Sequence, residues 1–143
     1  MAINSGIYKI SSVQGGAAVG VSPVRPAYQL ARIGAPITDC TLRQVDDKVT
    51  SIMVGAYPYT GVTDGQLLAT IAQEQDQDWT IEYREAQNAY TIASVSDPSL
   101  VWTVTEPDAP GSTISLRPVI TTRSMPPQYL PTQLWLLEPL IVD

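Results

Sequence analysis

Residues 77–81 read Gln-Asp-Trp-Thr-Ile and residues 133–137 read Gln-Leu-Trp-Leu-Leu, so a Gln-x-Trp segment occurs twice in the chain. Residues 38–42, Thr-Asp-Cys-Thr-Leu, occupy a corresponding place nearer the N-terminus, with cysteine where the tryptophan would stand. Self-similarity along a chain is the signature of a repeated structural unit. The three segments therefore predict a threefold internal repeat, and we interpret each of them as the last strand of its unit.

The residues between these segments predict short β-strands throughout. The first strand of each unit alternates apolar and polar residues, as a strand with one buried face does, at 6–10, 49–53 and 89–93. A pair of strands follows in each unit, at 17–22 and 28–33, 58–63 and 66–72, and 99–105 and 112–118. The sequence thus predicts a single all-β domain over residues 1–143, with twelve strands in three four-strand repeats of about 6–47, 48–87 and 88–143.

The predicted core consists of large apolar side chains from the first and last strands of the units. Its members are Tyr8, Ile10, Cys40, Leu42, Ile52, Trp79, Ile81, Ile92, Trp135 and Leu137. We expect the two tryptophans to fill the centre of the domain rather than to bind a ligand. Cys40 occupies an inward position, so we expect a buried small hydrophobe rather than a reactive thiol.

The Gln-x-Trp segments resemble the signature of ricin-B-type β-trefoil domains. Residues 5–10, Ser-Gly-Ile-Tyr-Lys-Ile, resemble the start of small fungal β-trefoil lectins and of mycocypin-type protease inhibitors. This resemblance implies a β-trefoil, in which six strands close a barrel and six hairpin strands cap one end, so that few sheet edges remain open.

Composition excludes several functional classes. The chain has no histidine, which removes Ser-His-Asp and Cys-His catalysis and the commonest metal ligand, so we expect no enzyme, metal or cofactor. Its one cysteine excludes an intramolecular disulfide. A net charge of −6 disfavours nucleic acid and anionic lipid as partners, and no apolar run approaches the roughly 18 residues that cross a bilayer.

Location and oligomeric state follow less directly. The N-terminal residues contain neither a basic region nor an apolar run, and a secretory signal peptide needs both. We therefore expect a cytoplasmic protein, with non-classical release as an open alternative. We also expect a monomer.

A long irregular segment separates the last two predicted strands. Residues 120–132 contain three prolines, one arginine and no glycine, and a long excursion from a compact domain is usually functional or disordered. The prolines restrict the backbone and favour an ordered, protruding loop. Within this loop, residues 121–128 read Thr-Thr-Arg-Ser-Met-Pro-Pro-Gln.

This octapeptide resembles the reactive-site loop of Bowman–Birk serine protease inhibitors, in which Thr-(Lys/Arg)-Ser-x-Pro-Pro is presented to trypsin as a bait substrate. The resemblance implies that Arg123 enters the carboxylate-based specificity pocket of a trypsin-like serine protease and that Arg123–Ser124 is the scissile bond. It also implies that the Thr122 hydroxyl braces the loop. On the C-terminal side of the scissile bond, it implies that Met125 contacts the protease and that a cis peptide bond precedes Pro126.

The chain departs from that family at the base of the loop. Cysteines flank the Bowman–Birk segment, whereas Thr121 and Tyr129 stand in those places here. Gln128 is expected to close the loop by a hydrogen bond, and packing of Tyr129 and Leu130 to replace a disulfide worth about 3 kcal/mol. The predicted protease-binding loop comprises Thr121, Thr122, Arg123, Ser124, Met125, Pro126, Pro127 and Gln128.

Two other loops are alternative protease sites. Arg25, in the Pro-Val-Arg-Pro segment of residues 23–26, is a secondary candidate, because some fungal β-trefoil inhibitors use this loop. The proline that follows Arg25 lacks the backbone N–H and fits trypsin-like subsites poorly. Residues 13–17, Val-Gln-Gly-Gly-Ala, lie where fungal inhibitors of papain-like cysteine proteases carry a glycine loop, although glycines between two strands mostly form a plain hairpin turn.

A carbohydrate-binding lectin is the alternative outside protease inhibition. Sugar sites usually combine a carboxylate or amide, which binds hydroxyls, with an aromatic face that stacks on the ring. The candidates are Asp64 near Tyr57 and Tyr59, and Asp97 near Trp102. Fold alone does not decide between a lectin and an inhibitor.

Overall fold

The structure is a computed structural model that describes residues 4–24 and 26–140. Thirteen strands occur in these residues: β1 (Gly6–Ser12), β2 (Val19–Gly20), β3 (Tyr28–Leu30), β4 (Arg32–Ile33), β5 (Asp39–Asp46), β6 (Val49–Val54), β7 (Tyr59–Thr63), β8 (Gln66–Thr70), β9 (Trp79–Arg84), β10 (Ala89–Ser94), β11 (Leu100–Val104), β12 (Ile114–Pro118) and β13 (Trp135–Pro139). The helical elements are three single 3₁₀ turns, Gln73–Gln75, Glu85–Gln87 and Pro131–Gln133. The predicted all-β class is therefore confirmed, and no helix of the described part is long and apolar enough to cross a membrane.

Six of the strands close a barrel. Their order is β13-β1-β5-β6-β9-β10, and the pairing of Tyr90 in β10 with Trp135 in β13 completes the ring. The pairs are antiparallel, so that Tyr8 in β1 lies opposite Cys40 on one side and Pro139 on the other. Because each strand has a partner on both sides, the ring leaves no open edge.

The other seven strands form hairpins and short pairings outside the ring. β7 pairs with β8 and β11 with β12, while β8 also pairs with β3 and β12. The predicted strand 28–33 is divided at Ala31, because β3 pairs with β8 whereas β4 forms a separate two-stranded sheet with β2. The predicted count of twelve strands is therefore wrong by one for the described residues.

The predicted core is confirmed. Eight of its ten side chains are buried, and the other two, Ile81 and Leu137, are partly buried and pack against it. At its centre the ring of Trp102 lies 5.4 Å from that of Trp79 and 6.0 Å from that of Trp135, in edge-to-face arrangements. Aromatic pairs prefer this geometry, which directs the ring edge at the neighbouring face.

The three indole N–H groups are not equally satisfied. Trp79 Nε1 donates to Thr60 Oγ1 at 2.8 Å, and Trp135 Nε1 donates to the carbonyl of Trp102 at 3.1 Å. Trp102 Nε1 is buried and has no partner among the described residues. The side chain of Trp102 therefore contributes to the fold by packing alone.

The cysteine is part of this core. Cys40 lies in β5 with no exposed surface. Burial, reinforced by the neighbouring Asp39 carboxylate, raises the pKa of the Cys40 thiol to about 12. Reactivity requires the thiolate, so the structure confirms an inert, buried side chain.

Candidate functional site

The predicted protease-binding loop protrudes between β12 and β13. All eight residues of 121–128 are exposed, and Met125 at the tip exposes 94% of its surface. No described residue forms a hydrogen bond or an ion pair with the side chain of Arg123. The arginine therefore has no partner within residues 4–24 and 26–140 to release before it binds elsewhere.

The two arms of the loop are joined by backbone contacts. Thr121 and Tyr129 form an antiparallel bridge, and the Thr122 N–H donates to the Gln128 carbonyl at 2.9 Å. The Gln128 N–H donates in return to Thr122 Oγ1 at 3.0 Å. The closure expected of Gln128 is thus made by its backbone.

A chain of hydroxyl groups crosses the loop from one arm to the other. Thr122 Oγ1 and Ser124 Oγ are 2.6 Å apart, and Ser124 Oγ donates to the Pro126 carbonyl at 2.9 Å. Since the single Ser124 hydroxyl proton is used there, the Thr122 hydroxyl is the donor in the first of these bonds. The bond between Thr122 and Ser124 spans the peptide bond that joins Arg123 to Ser124. The Met125–Pro126 peptide bond is cis, the geometry that the Bowman–Birk resemblance implies.

Gln133 braces the N-terminal arm of the loop from inside the domain. Its Oε1 accepts the Ile120 N–H at 2.9 Å, and its Nε2 donates to the Pro118 carbonyl at 3.0 Å and to Thr103 Oγ1 at 3.3 Å. The side chain is only 1% exposed, so these bonds are shielded from water. Gln133 is the glutamine of the second Gln-x-Trp segment, which sequence analysis used only as a repeat marker.

A second glutamine braces the C-terminal arm. The side-chain amide of Gln87, in the 3₁₀ turn after β9, binds both backbone groups of Tyr129. The Arg84 guanidinium lies 4.6 Å from the centroid of the Tyr129 ring, a cation–π distance. Neither contact was predicted, because no local pattern in the sequence marks a side chain that binds a backbone 42 residues away.

The secondary candidate, Arg25, lies outside the described residues. Its loop is braced by Gln29, whose Oε1 accepts the Ser22 N–H at 2.8 Å and whose Nε2 donates to the Ser22 and Val24 carbonyls. Beside this loop is a mostly apolar groove of about 650 Å³. Ser22 and Val24 are therefore held to strand β3, and the 22–27 loop remains an alternative site.

The glycine loop at residues 13–17 is a tight hairpin turn. The Ser12 N–H donates to the Ala17 carbonyl at 2.9 Å, and the Gly16 N–H donates to the Ser12 carbonyl at 3.0 Å. Gly15 and Gly16 both have positive φ, at 86° and 79°, which glycine adopts without a steric penalty. The turn thus accounts for both glycines without a role in binding.

Two of the three rings in the candidate sugar sites are buried. Trp102 has no exposed surface and Tyr57 only 4%, so the expectation that these rings stack on a sugar is wrong. Tyr59 is partly exposed, but Asp64 lies five residues further along the hairpin, about 16 Å away at the rise of a β-strand. One sugar ring does not bridge that distance.

Comparison with known proteins agrees with an inhibitor fold. A family model described as peptidase inhibitor I66 matches residues 1–139. A proteinase inhibitor from Coprinopsis cinerea superposes with a TM-score of 0.84 at 21% identity, over 97% of this chain and 100% of that one. A search of curated proteins finds no match.

Two further β-trefoil structures share the fold. The designed threefold-symmetric protein ThreeFoil has a TM-score of 0.73 at 12% identity, over 94% of this chain and 99% of its own. The C-terminal half of an earthworm R-type lectin, in complex with GalNAc, has a TM-score of 0.64 at 14% identity, over 93% and 98%. At these identities the likeness concerns the fold and leaves the ligand open.

Proposed function

Because the chain belongs to the peptidase inhibitor I66 family, and is thus an inhibitor rather than an enzyme, we propose that it inhibits trypsin-like serine proteases through residues 121–128. Arg123 enters the specificity pocket, where a carboxylate pairs with the guanidinium out of water. Arg123–Ser124 is the bond presented for cleavage. The observation that carries the proposal is an exposed arginine on a loop whose two arms are hydrogen-bonded to each other.

This geometry favours slow hydrolysis. A loop already in its binding conformation loses little conformational entropy when a protease binds it. After cleavage, the Thr122–Ser124 hydroxyl bond and the Thr122–Gln128 pair still connect the two sides of the broken bond. The new carboxylate and amine therefore stay close together, so that resealing competes with release of the cleaved loop.

The proposal is tested by titrating trypsin with the protein while a small arginine substrate is hydrolysed. We expect stoichiometric, lasting loss of activity with the wild type. Arg123→Ala should raise the inhibition constant about 30-fold to several thousandfold, as for truncation of a buried charge pair. The matched control is Arg117→Ala, which removes another exposed arginine from the neighbouring strand β12 and should leave inhibition unchanged. Inhibition that survives Arg123→Ala would move the site elsewhere.

Two further variants separate the alternatives. Arg123→Leu should redirect inhibition towards chymotrypsin-like proteases, because the side chain in the pocket sets specificity. Loss of trypsin inhibition in Arg25→Ala, with Arg123→Ala unaffected, would assign the site to the 22–27 loop. Inhibition of papain alone would favour residues 13–17, and binding to a glycan array without any effect on proteases would favour a lectin.

We also propose that residues 1–143 form one β-trefoil domain of three repeats, each with four strands when β3 and β4, the two parts of the strand predicted at 28–33, are counted as one. Support comes from the barrel, which takes β1 and β5, β6 and β9, and β10 and β13, with the remaining strands between the members of each pair. The boundaries at 47/48 and 87/88 fall in the β5–β6 turn and directly after Glu85–Gln87. A crystal structure whose barrel took unequal numbers of strands from these three segments would contradict the assignment.

A further inference from the structure

We propose that Gln87 is a positioning residue that holds the C-terminal arm of the 121–128 loop in the conformation that a protease binds, an inference that rests on the proposed function. Gln87 lies in another repeat and outside the octapeptide, at the end of the turn Glu85–Gln87. It touches neither Arg123 nor the scissile bond. Its effect on inhibition would therefore be exerted through Tyr129.

One side chain satisfies both backbone groups of Tyr129. Gln87 Oε1 accepts the Tyr129 N–H at 2.6 Å, and Gln87 Nε2 donates to the Tyr129 carbonyl at 2.9 Å. Successive residues of a strand direct these groups to opposite sides. The N–H and carbonyl of Gln128 both bind Thr122. The N–H and carbonyl of the next residue, Tyr129, therefore point away from the opposite arm of the loop, towards Gln87. The side-chain amide of Gln87 thus forms with Tyr129 the pair of hydrogen bonds that a neighbouring strand would form at the outer edge of the loop.

The ring of Tyr129 is anchored to the same hairpin. Arg84, the last residue of β9, places its guanidinium carbon 4.6 Å from the ring centroid. The guanidinium is itself fixed, since Arg84 Nε donates to Thr91 Oγ1 at 3.1 Å and Arg84 Nη2 lies 3.5 Å from a carboxylate oxygen of Glu82. Backbone and ring of Tyr129 are therefore both tied to the β9–β10 hairpin of the barrel.

This anchorage lies where a Bowman–Birk loop has a flanking cysteine. If the Arg123–Ser124 bond is cleaved, the segment from Ser124 onward keeps only one covalent attachment, which passes through Tyr129. A fixed Tyr129 limits how far the new Ser124 amine moves from the Arg123 carboxylate. Loss of the Gln87 contacts should thus weaken binding and favour release of the cleaved loop.

The experiment compares Gln87→Ala and Gln87→Glu with the wild type at 25 °C, measuring the inhibition constant for trypsin and the rate of cleavage after Arg123. Alanine removes both hydrogen bonds and should raise the inhibition constant roughly 10- to 100-fold, with faster cleavage. Glutamate still accepts the Tyr129 N–H, but its second carboxylate oxygen has no proton to donate and would face the Tyr129 carbonyl oxygen, so it should also raise the inhibition constant, by about tenfold or more. A role in global stability alone would leave the inhibition constant unchanged wherever the variant remains folded.

Gln29→Ala is the matched control, because Gln29 makes the same kind of brace on the 22–27 loop. It should leave trypsin inhibition unchanged. Amide hydrogen exchange at Tyr129, measured without any protease, provides a second readout. Exchange should accelerate in Gln87→Ala and stay slow in Gln87→Glu, which retains the acceptor.

The outcomes distinguish the inference from the proposed function. A wild type that inhibits trypsin, with Gln87→Ala equally potent and cleaved no faster, overturns the role of Gln87 and leaves the proposed function standing. A wild type that does not inhibit trypsin overturns both. Weakened inhibition in Gln29→Ala but not in Gln87→Ala assigns the site to the 22–27 loop. If Gln87→Ala does not fold, Gln87→Glu decides.

Discussion

Replacing Thr122 with valine removes one hydroxyl group and keeps the shape of the side chain. That hydroxyl accepts the Gln128 N–H at 3.0 Å and donates to Ser124 Oγ at 2.6 Å, so two hydrogen bonds are lost and the Ser124 hydroxyl keeps only its bond to the Pro126 carbonyl. In an exposed loop water partly replaces them, and each is worth about 0.5–1.5 kcal/mol. Thr122→Val should therefore weaken binding by about 1–3 kcal/mol, which is a roughly 5- to 150-fold rise in the inhibition constant for trypsin.

The assay measures inhibition of trypsin by the wild type, Thr122→Val and Thr122→Ser, and follows cleavage after Arg123 by mass spectrometry. Serine keeps the hydroxyl and should remain close to the wild type, whereas valine should inhibit less and be cleaved faster. If Thr122→Val matches the wild type in both respects, the hydroxyl chain does not hold the loop. If Thr122→Ser is as weak as valine, the methyl group rather than the hydroxyl is the important part of the side chain.

Two further predictions concern the fold. Asp76 is exposed, but partial desolvation of its carboxyl and the nearby Asp78 carboxylate raise its pKa, so its charged form weakly opposes folding above that pKa and ceases to do so as the pH falls through it. Asp76→Asn should therefore increase stability to urea at pH 7, with a gain that disappears near pH 3; an equal gain at both values would contradict the electrostatic origin. In the core, Trp79→Phe should lower the free energy of unfolding by about 1 kcal/mol more than Trp102→Phe, because, of these two indole N–H groups, that of Trp79 has a partner and that of Trp102 has none among the described residues. The reverse order in thermal unfolding would refute this.

Alternation of apolar and polar residues predicted the strands whose two faces differ. β1 follows the rule from Tyr8 to Ile10, since the apolar Tyr8 and Ile10 are buried and the polar Lys9 between them is only partly buried. In β11, by contrast, four consecutive residues from Val101 to Val104 are buried, so both faces of the strand are covered. Alternation therefore does not indicate which face of β11 Trp102 occupies, and the candidate sugar site that needed an exposed Trp102 is wrong.

The remaining differences between the predicted and the observed structure arise from contacts between residues that are distant in the sequence. The strand predicted at 28–33 has good strand composition, but its partner changes at Ala31, whose N–H donates to the Leu67 carbonyl at 3.0 Å. Likewise, the loop motif was visible in residues 121–128, while its support by Gln87 requires the β9–β10 hairpin to lie beside Tyr129. A local sequence pattern therefore predicts the 121–128 motif, whereas the contacts of Gln87 with Tyr129 depend on the tertiary fold.

Three glutamine side chains hold loops of this protein in place. Gln29, Gln87 and Gln133 each accept a backbone N–H from a loop and donate to a backbone carbonyl of the same loop. A primary amide is suited to this, because it carries a donor and an acceptor side by side. A disulfide acts mainly by restricting the unfolded chain, whereas these hydrogen bonds exist only while the barrel is folded. The conformation of the 121–128 loop is therefore coupled to the local stability of the β9–β10 hairpin, which contains Gln87, and of the turn before β13, which contains Gln133. Changes that loosen either element should disturb the loop before they unfold the domain.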